Sequence, residues 1–211
     1  MSSPLKVAAV LLAAGRSRRM GAFKPLLPFG AKTVIESCVD NLRAAGVSEI
    51  VVVVGHRADE LRAHLSGPGL RFALNDDGGS EMGASIARGV ERVSGEAAAV
   101  LVALADHPAV TPDAIRFLLD TRETTGARAA VPTWQGRGGH PVLVDLSLRD
   151  ELLRLEGSRG LRGLLEAHAG EALRVEVECP FVARDMDSWD DYRALHAEVF
   201  GTEPPPGGSS S

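Results

Sequence analysis

Short apolar runs alternate with helical patterns along most of the chain, and this alternation constrains the fold more than any other feature of the sequence. Residues 7–12 and 50–54 are continuous apolar runs, which is typical of strands covered on both faces, and residues 70–74 and 99–105 are further candidates. Strands that alternate with helices predict an α/β fold of the Rossmann-like, three-layer α/β/α kind with a mostly parallel sheet. The active crevice of such a fold lies at the carboxyl ends of the strands.

Helix boundaries are indicated by capping patterns. Thr33 and Glu36 have the spacing of a capping box, and residues 111–113 place a cap, a proline and an acidic residue at the start of another helix. Ser80 or Ser85 is predicted to open a helix that ends near residue 93.

The length of 211 residues fits one domain, predicted over residues 1–200. Within it, residues 128–178 contain shorter strands, glycine pairs and two short helices, and are predicted to cover one side of the crevice. Residues 201–211 are rich in proline, glycine and serine with no apolar side chain to bury, so a disordered tail is predicted.

Composition disfavours several classes of partner. The net charge of −5 is unlike that of a protein that binds DNA or RNA. The apolar run at residues 7–14 is too short to cross a membrane, and we interpret it as a strand rather than a signal peptide. Cys38 and Cys179 are predicted to be buried thiols, which favours a cytoplasmic location.

A cationic segment follows the first apolar run. Arg16, Arg18, Arg19 and Lys24 lie within nine residues, and the surrounding stretch from residue 6 to 30 contains no acid. Its glycines match neither the dinucleotide fingerprint nor a Walker A loop. Guanidinium groups suit phosphate oxygens and a lysine supplies a compact charge, so this turn is predicted to bind a phosphorylated small molecule.

Acidic residues mark the opposite side of the predicted crevice. Asp106 ends the run at 99–105, and Asp185 and Asp187 precede a helix predicted over residues 189–200 with Ser188 as its cap. Because Asp185 and Asp187 have no helix-capping task, carboxylates from the two segments could together hold Mg²⁺.

These residues resemble the molybdenum cofactor nucleotidyltransferases, a family within the Rossmann-like nucleotidyltransferases. The resemblance covers about residues 6–195, and the chain is most similar to the cytidylyltransferase branch in residues 13–15 and in the GHPVL segment that begins at Gly139. The motifs that carry it are LLAAGRSRRMGAFKPLLPFG (11–30), VVVVGH (51–56), Asn75, EMGASIARG (81–89), Asp106 with Pro108, GRGGHPVLVD (136–145) and DMDSWDDY (185–192). The resemblance implies Mg²⁺-dependent transfer of CMP from CTP to a phosphorylated acceptor such as molybdopterin, with release of pyrophosphate. It also implies a transient contact with a molybdoenzyme or its chaperone.

The resemblance further implies roles for individual residues. Lys24 and Arg19 would contact the triphosphate and act with Asp106 in catalysis, and Asp106 and Asp187 would hold the Mg²⁺. Two binding regions follow. The nucleotide would lie against Leu12, Ala13, Ala14, Gly15, Arg16, Asn75, Gly83 and Ser85, and the acceptor against Gly139, His140 and Pro141.

The chain departs from the family pattern in ways that concern the base and the acceptor. His107 stands where the branch commonly has glutamine, and Ser188 with Trp189 stand where Thr-Pro is usual. Neither His107 nor His140 is needed as a base, because a phosphate monoester with a second pKa near 6 is already largely ionised.

Alternative functions stay open at this point. A guanylyltransferase that uses GTP, or a same-fold enzyme with another acceptor, would share these motifs. A non-catalytic chaperone that binds nucleotide or cofactor belongs to a different class. A cofactor-dependent oxidoreductase on a related scaffold is a further alternative, although the sequence has no dinucleotide fingerprint.

Overall fold

A mostly parallel sheet forms the centre of the protein in a computed structural model, which describes residues 6–15, 20–77, 81–155 and 159–205. The strands of the described residues are β1 (Val7–Ala13), β2 (Pro28–Phe29), β3 (Lys32–Thr33), β4 (Glu49–Val54), β5 (Leu70–Leu74), β6 (Ala99–Leu104), β7 (Ala129–Trp134), β8 (Arg137–Gly138), β9 (Val142–Asp145) and β10 (Ala172–Glu176). The order across the main sheet is β10-β7-β9-β6-β1-β4-β5, with β8 paired to β7, while β2 and β3 form a separate hairpin. Within the main sheet, β9 and β8 run antiparallel to their neighbours.

Helices cover both faces of this sheet. They are α1 (Val34–Ala44), α2 (Ala58–His64), α3 (Met82–Arg92), α4 (Pro112–Thr125), α5 (Arg149–Leu153), α6 (Gly160–Ala167) and α7 (Trp189–Phe200). In β1, Leu11 packs with Ile35 and Leu118 from α1 and α4, whereas the neighbouring Val10 packs with Ile86 and Leu161 from α3 and α6. Apolar side chains on both faces explain why the central strands are continuous apolar runs. The predicted Rossmann-like α/β/α fold is confirmed.

The predicted caps of α1 and α4 are present. The Thr33 side chain accepts from the backbone of Glu36, whose carboxylate accepts in return from the Thr33 backbone at 2.7 Å. Thr111 accepts from the Ala114 backbone at 3.3 Å. The predicted start of α3 is close to its actual place but not at it, because the N-cap is Glu81. Ser80 lies outside the described residues.

The segment 128–178, which was predicted to cover one side of the crevice, is part of the central sheet. It supplies β7 to β10 to the main sheet, and β9 pairs directly with β6 through Val102 and Val142. The helices α5 and α6 pack on the same face as α3. We propose on this basis that residues 1–200 fold as one domain.

The helix α7 ties the end of the chain to the cationic segment. Ser188 and Asp191 form its capping box. Trp189 Nε1 donates to the Met20 carbonyl at 2.9 Å, and the Tyr192 hydroxyl donates to the Pro28 carbonyl at 2.6 Å. The backbone on either side of Lys24 is thereby fixed against α7.

Other sequence predictions concern the cysteines, the membrane and the tail. Cys38 and Cys179 are buried free thiols, as predicted, and burial raises the pKa of Cys38. In the part of the chain that the structure describes, no helix is both long and apolar enough to cross a membrane. Most of the predicted tail, residues 206–211, lies outside the described residues.

Candidate active site

The carboxyl ends of β1, β4 and β5 meet at one edge of the sheet. Gly55 directly follows β4, and a Cβ atom at this position would lie 2.8 Å from the Ala14 carbonyl oxygen and 3.3 Å from that of Asn75. This close approach requires glycine or a shift of the backbone. The three strand ends therefore form one continuous floor, as the fold class predicts.

The turn after β1 forms the first wall of the site. Leu12 and Ala13 belong to the end of the strand, whereas Gly15 is exposed and has open space where a Cβ would lie. Arg16 and Arg19 lie outside the described residues, so their predicted contacts with phosphate stay predictions.

Lys24 opens a short 3-10 helix (Lys24–Leu26) that packing holds at the crevice. The neighbouring Phe23 ring makes an edge-on contact with the His56 ring at 5.9 Å, and the Arg57 guanidinium lies 4.4 Å from the Phe23 centroid. The Lys24 side chain is only 12% exposed, and its Nζ forms an ion pair with Asp187 Oδ1 at 2.8 Å. This ion pair joins two predicted site residues that are 163 positions apart.

Asp106 lies two residues after the end of β6, on the same edge of the sheet. Burial raises the pKa of its carboxyl group, and the charges of His107 and Lys24 act in the opposite direction. Lys24 is thus close enough to both predicted metal ligands, Asp106 and Asp187, to influence them. A cation at Asp106 would offset the cost of burying its charge.

His107 links the two acidic segments, a contact that the sequence did not reveal. Its Nε2 lies 3.0 Å from Asp185 Oδ1 and 3.8 Å from Asp106 Oδ1. The hydrogen bond to Asp185 lowers the pKa of that carboxyl group. The imidazole is buried, and its Nδ1 has no hydrogen-bond partner among the described residues. The only signal in the sequence was that Asp185 had no role in capping α7.

The donor set around Lys24 fits Mg²⁺ bound together with a substrate. No group of three or more His, Cys, Asp or Glu side chains within the described ranges is arranged to hold a metal ion. Mg²⁺ is commonly bound by one or two carboxylates, waters and substrate phosphates rather than by a complete protein cage. Asp106 and Asp187 could supply the two carboxylates.

Asn75 and Ser85 are brought together, as their predicted common pocket requires. Asn75 follows β5 and Ser85 lies in the first turns of α3, and both are buried. Asn75 Nδ2 donates to Ser85 Oγ at 2.8 Å. Gly83 lies close to Ser85 in the same helix, and a Cβ there would come within 2.9 Å of the Leu155 carbonyl oxygen.

The predicted acceptor residues lie between β8 and β9. A Cβ at Gly139 would lie 1.8 Å from the Val182 carbonyl oxygen, so the backbone passes too close for any other residue. Next to it, His140 Nδ1 lies 3.2 Å from the Val102 carbonyl oxygen and must donate to it. Burial lowers the pKa of His140 to about 4. The ring is therefore neutral near pH 7 and too weak a base to take a proton efficiently.

His140 should make stability depend on pH. Its pKa falls from 6.5 to about 4 on folding, so between these values the unfolded chain binds more protons. The contribution of this group to stability is full above pH 6.5 and decreases as the pH falls. We expect about 2 kcal/mol of the free energy of unfolding to be lost from this group between pH 7 and pH 5.

Urea titrations of the wild type and of His140→Gln at both pH values measure this effect. The variant should lose about 2 kcal/mol less than the wild type over this interval. His64→Gln, at an exposed position of α2, is the control and should keep the wild-type difference. An equal loss in wild type and His140→Gln would contradict the buried, neutral state of this ring.

A cavity of about 880 Å³ opens beside His140. Its walls come from the first turn of α3, the strands β7 to β10 and the start of α6. The described residues thus contain a strand-end crevice with Lys24 and the carboxylates, and a separate recess beside His140.

Comparison with protein families matches residues 9–173 to the MobA-like NTP transferase domain. The chain belongs to the MobA-like NTP transferase family. The family resemblance inferred from the sequence is therefore confirmed, and the chain carries a nucleotidyltransferase-type domain. The match includes β1, Lys24 and Asp106, whereas Asp187 lies beyond its end.

Relatives of similar length support this assignment. The chain is 32% identical over 202 residues to nicotine blue oxidoreductase of Paenarthrobacter nicotinovorans, covering 90% of this chain and 96% of that protein. The crystal structure of Rv0371c from Mycobacterium tuberculosis is 30% identical, with a TM-score of 0.81 and coverage of 92% and 98% of the two chains. A nucleotidyl transferase from a Methanothermobacter species is 31% identical, with a TM-score of 0.79 and coverage of 94% and 99%.

Rv0371c has also been solved in complex with manganese, at 29% identity, a TM-score of 0.77 and coverage of 92% of this chain and 98% of that one. A divalent metal in this relative agrees with the carboxylates found at the strand ends of the present chain.

Proposed function

We propose that this MobA-like protein is a Mg²⁺-dependent nucleotidyltransferase that moves CMP from CTP to a phosphorylated acceptor such as molybdopterin, with release of pyrophosphate. The observation that carries the proposal is the Lys24–Asp187 ion pair, which lies close to Asp106 at the sheet edge where β1 ends. Cationic and anionic side chains at one point suit a reaction in which two phosphorylated molecules must meet.

The reaction follows from the charges. An acceptor phosphate oxygen attacks the α-phosphorus of CTP, a new P–O bond forms, and the bond to the β-phosphate oxygen breaks to release pyrophosphate. Lys24 stabilises the negative charge that develops on the α-phosphate, and Arg19 contacts the triphosphate. Asp106 and Asp187 would hold Mg²⁺, which when bound neutralises phosphate charge.

A base is not required for this attack. A phosphate monoester is largely ionised near neutral pH, so no proton has to leave the nucleophile. His140, among the proposed acceptor residues, is neutral with a pKa of about 4 and would be a poor base for a hydroxyl group. A phosphate nucleophile is therefore favoured over a hydroxyl group.

Two regions are assigned to the substrates. Leu12, Ala13, Ala14, Gly15 and Arg16 would border the nucleotide, and the buried Asn75–Ser85 pair with Gly83 would shape the base and ribose pocket. Gly139, His140 and Pro141 would border the acceptor, with residues 128–178 forming that side of the site. The CTP preference rests on the similarity of residues 13–15 and of the GHPVL segment to the cytidylyltransferase branch.

The proposal also includes the cellular location of the enzyme and the protein that receives its product. We propose a cytoplasmic enzyme that makes a transient contact with a molybdoenzyme or its chaperone, to which the product would pass. GTP in place of CTP, another phosphorylated acceptor, or binding without catalysis would use the same crevice.

A second candidate function is an oxidoreductase. The specific observation in its favour is the 32% identity to nicotine blue oxidoreductase across nearly the full length of both proteins. Against it, the turn after β1 lacks the dinucleotide fingerprint. The two candidates differ in the nucleotide that the crevice should bind.

Calorimetric titration separates these functions. We expect CTP to bind more tightly than GTP, ATP or UTP and to require Mg²⁺ for full affinity. NADH and NADPH, titrated in parallel, should not bind. A preference for GTP would move the protein to the guanylyltransferase branch, and binding of NADPH without binding of CTP would replace the proposal by the oxidoreductase.

A further inference from the structure

The recess beside His140 carries an excess of positive charge. Among the described residues, the charged side chains that line it are three arginines, Arg159, Arg162 and Arg174, and one carboxylate, Glu81. Arg159 and Arg162 share a single partner outside the lining, Glu166. Arg174 donates to the Gly136 carbonyl oxygen at 2.7 Å, and its charge helps to lower the pKa of Glu176. Because Glu176 already accepts from Thr133 and from the Gln135 backbone, the Arg174 guanidinium can still bind an anion.

The N-terminal ends of two helices add to the positive charge of the recess. Gly160, at the start of α6, would place a Cβ within 3.9 Å of the Gly83 backbone nitrogen in the first turn of α3. The N-cap residues of these two described helices are Glu81 and Arg159, and neither helix has a side-chain capping hydrogen bond. Neither first turn contains an acidic residue. The positive ends of both helix dipoles therefore lie at the rim of the arginine-lined recess.

Apart from His140 and glycines, the rest of the lining is apolar. Val131 and Val142 from the sheet and Leu161 and Leu165 from α6 face the same space. A ligand that fills about 880 Å³ would be a molecule of substrate size with an apolar body, rather than a bare inorganic ion.

The recess also connects to the reaction centre. His140 lines it, and the His140 ring lies 5.8 Å from the ring of His107, which contacts Asp106 and Asp185. The acceptor phosphate that attacks CTP must lie near Lys24 and Asp106. The arginines line the recess, whereas Lys24 and Asp187 do not, so the arginines would meet a different part of the acceptor.

We propose that Arg162 and Arg174 bind a second, non-reacting oxyanion of the acceptor, carried on an apolar body that lies along α6. This inference rests on the proposed function, since it concerns the acceptor of that reaction. The acceptor would thus carry two anionic groups. An acceptor with a single phosphate group would supply the reacting oxygen but leave the arginines of the recess without an anion.

The experiment uses inorganic phosphate as the probe of the recess and CTP with Mg²⁺ as the probe of the strand-end crevice. Both are titrated by calorimetry into the wild type, Arg162→Gln, Arg174→Gln and Lys24→Ala. Loss of a guanidinium from the recess should weaken phosphate binding about tenfold and leave the CTP affinity unchanged. Lys24→Ala should keep the phosphate binding that Arg162→Gln and Arg174→Gln lose.

Arg88→Gln is the matched control, because Arg88 is an exposed arginine of α3 that pairs with Glu91 and does not line the recess. Thermal midpoints establish that each variant is folded. Phosphate affinity that is the same in the wild type and in both recess variants overturns the inference, as does an equal loss in Arg88→Gln. Failure of CTP to bind would instead overturn the proposed function, and the phosphate titration would still report on the recess.

Discussion

Replacing Asp106 by alanine is expected to abolish nucleotidyl transfer and to leave the fold intact. Asp106 lies two residues after β6, at the same sheet edge as the turn after β1, and its carboxyl group is partly buried beside Lys24 and His107. Without it, the proposed Mg²⁺ site keeps only Asp187, which is itself paired with Lys24. The triphosphate would then lack much of its charge neutralisation at the reacting phosphorus.

Pyrophosphate release with CTP, Mg²⁺ and molybdopterin measures this effect, and calorimetry of CTP with and without Mg²⁺ provides a readout that needs no acceptor. Asp106→Ala should lose the Mg²⁺-dependent part of CTP affinity, whereas Asp120→Ala, on the exposed side of α4, should behave as the wild type. Activity of Asp106→Ala near that of the wild type would refute the metal assignment. A lowered thermal midpoint with retained activity would point to a structural role.

The central part of the fold could be predicted because its strands are buried by apolar side chains on both faces of the sheet. Strands β1, β4 and β6 are parallel and covered on both faces, so their sequences are apolar without interruption. The caps of α1 and α4 were equally predictable, because they are local contacts between residues three apart.

Long-range strand pairing could not be predicted from local patterns. The antiparallel insertion of β9 between β6 and β7 depends on contacts such as that between Val102 and Val142, which are far apart in the sequence. The start of α3 was missed for a related reason: Ser85, a plausible cap by its local chemistry, is buried in the helix and accepts from Asn75 of the preceding strand end. Tertiary contacts override local propensity at both places.

The sequence named candidate site residues but could not indicate which of them would be paired with one another. Lys24 lies beside Asp187 and close enough to Asp106 to act on its carboxyl group, although Lys24 opens a 3-10 helix and Asp187 precedes α7, so neither ends a strand. The contact between His107 and Asp185 spans 78 positions, and no local pattern of the sequence indicates it. The positions of Arg16 and Arg19 lie outside the described residues and stay predictions.

Replacing Lys24 by alanine is expected to lower turnover by about 100-fold or more, as for the loss of one well-placed charge-stabilising donor. The effect should fall on kcat more than on CTP affinity, since the charge on the α-phosphate develops in the transition state. The protein should remain folded. Lys24 opens a 3-10 helix whose backbone is held by its neighbours, including Trp189 against Met20 and Tyr192 against Pro28.

The Lys24–Asp187 pair gives this variant a second expected result. The ammonium group neutralises a carboxylate that is proposed to bind Mg²⁺, so the two must separate for Lys24 to contact the triphosphate and for Asp187 to bind the metal. Removing Lys24 should therefore leave Asp187 more available to a cation, and Mn²⁺ titrated alone should bind at least as tightly as to the wild type. Lys32→Ala, which removes an exposed lysine paired with Asp40, is the control for a general change of charge. A fall in thermal midpoint with unchanged kcat would show that Lys24 is structural, and weaker Mn²⁺ binding would show that Asp187 does not bind the metal as proposed.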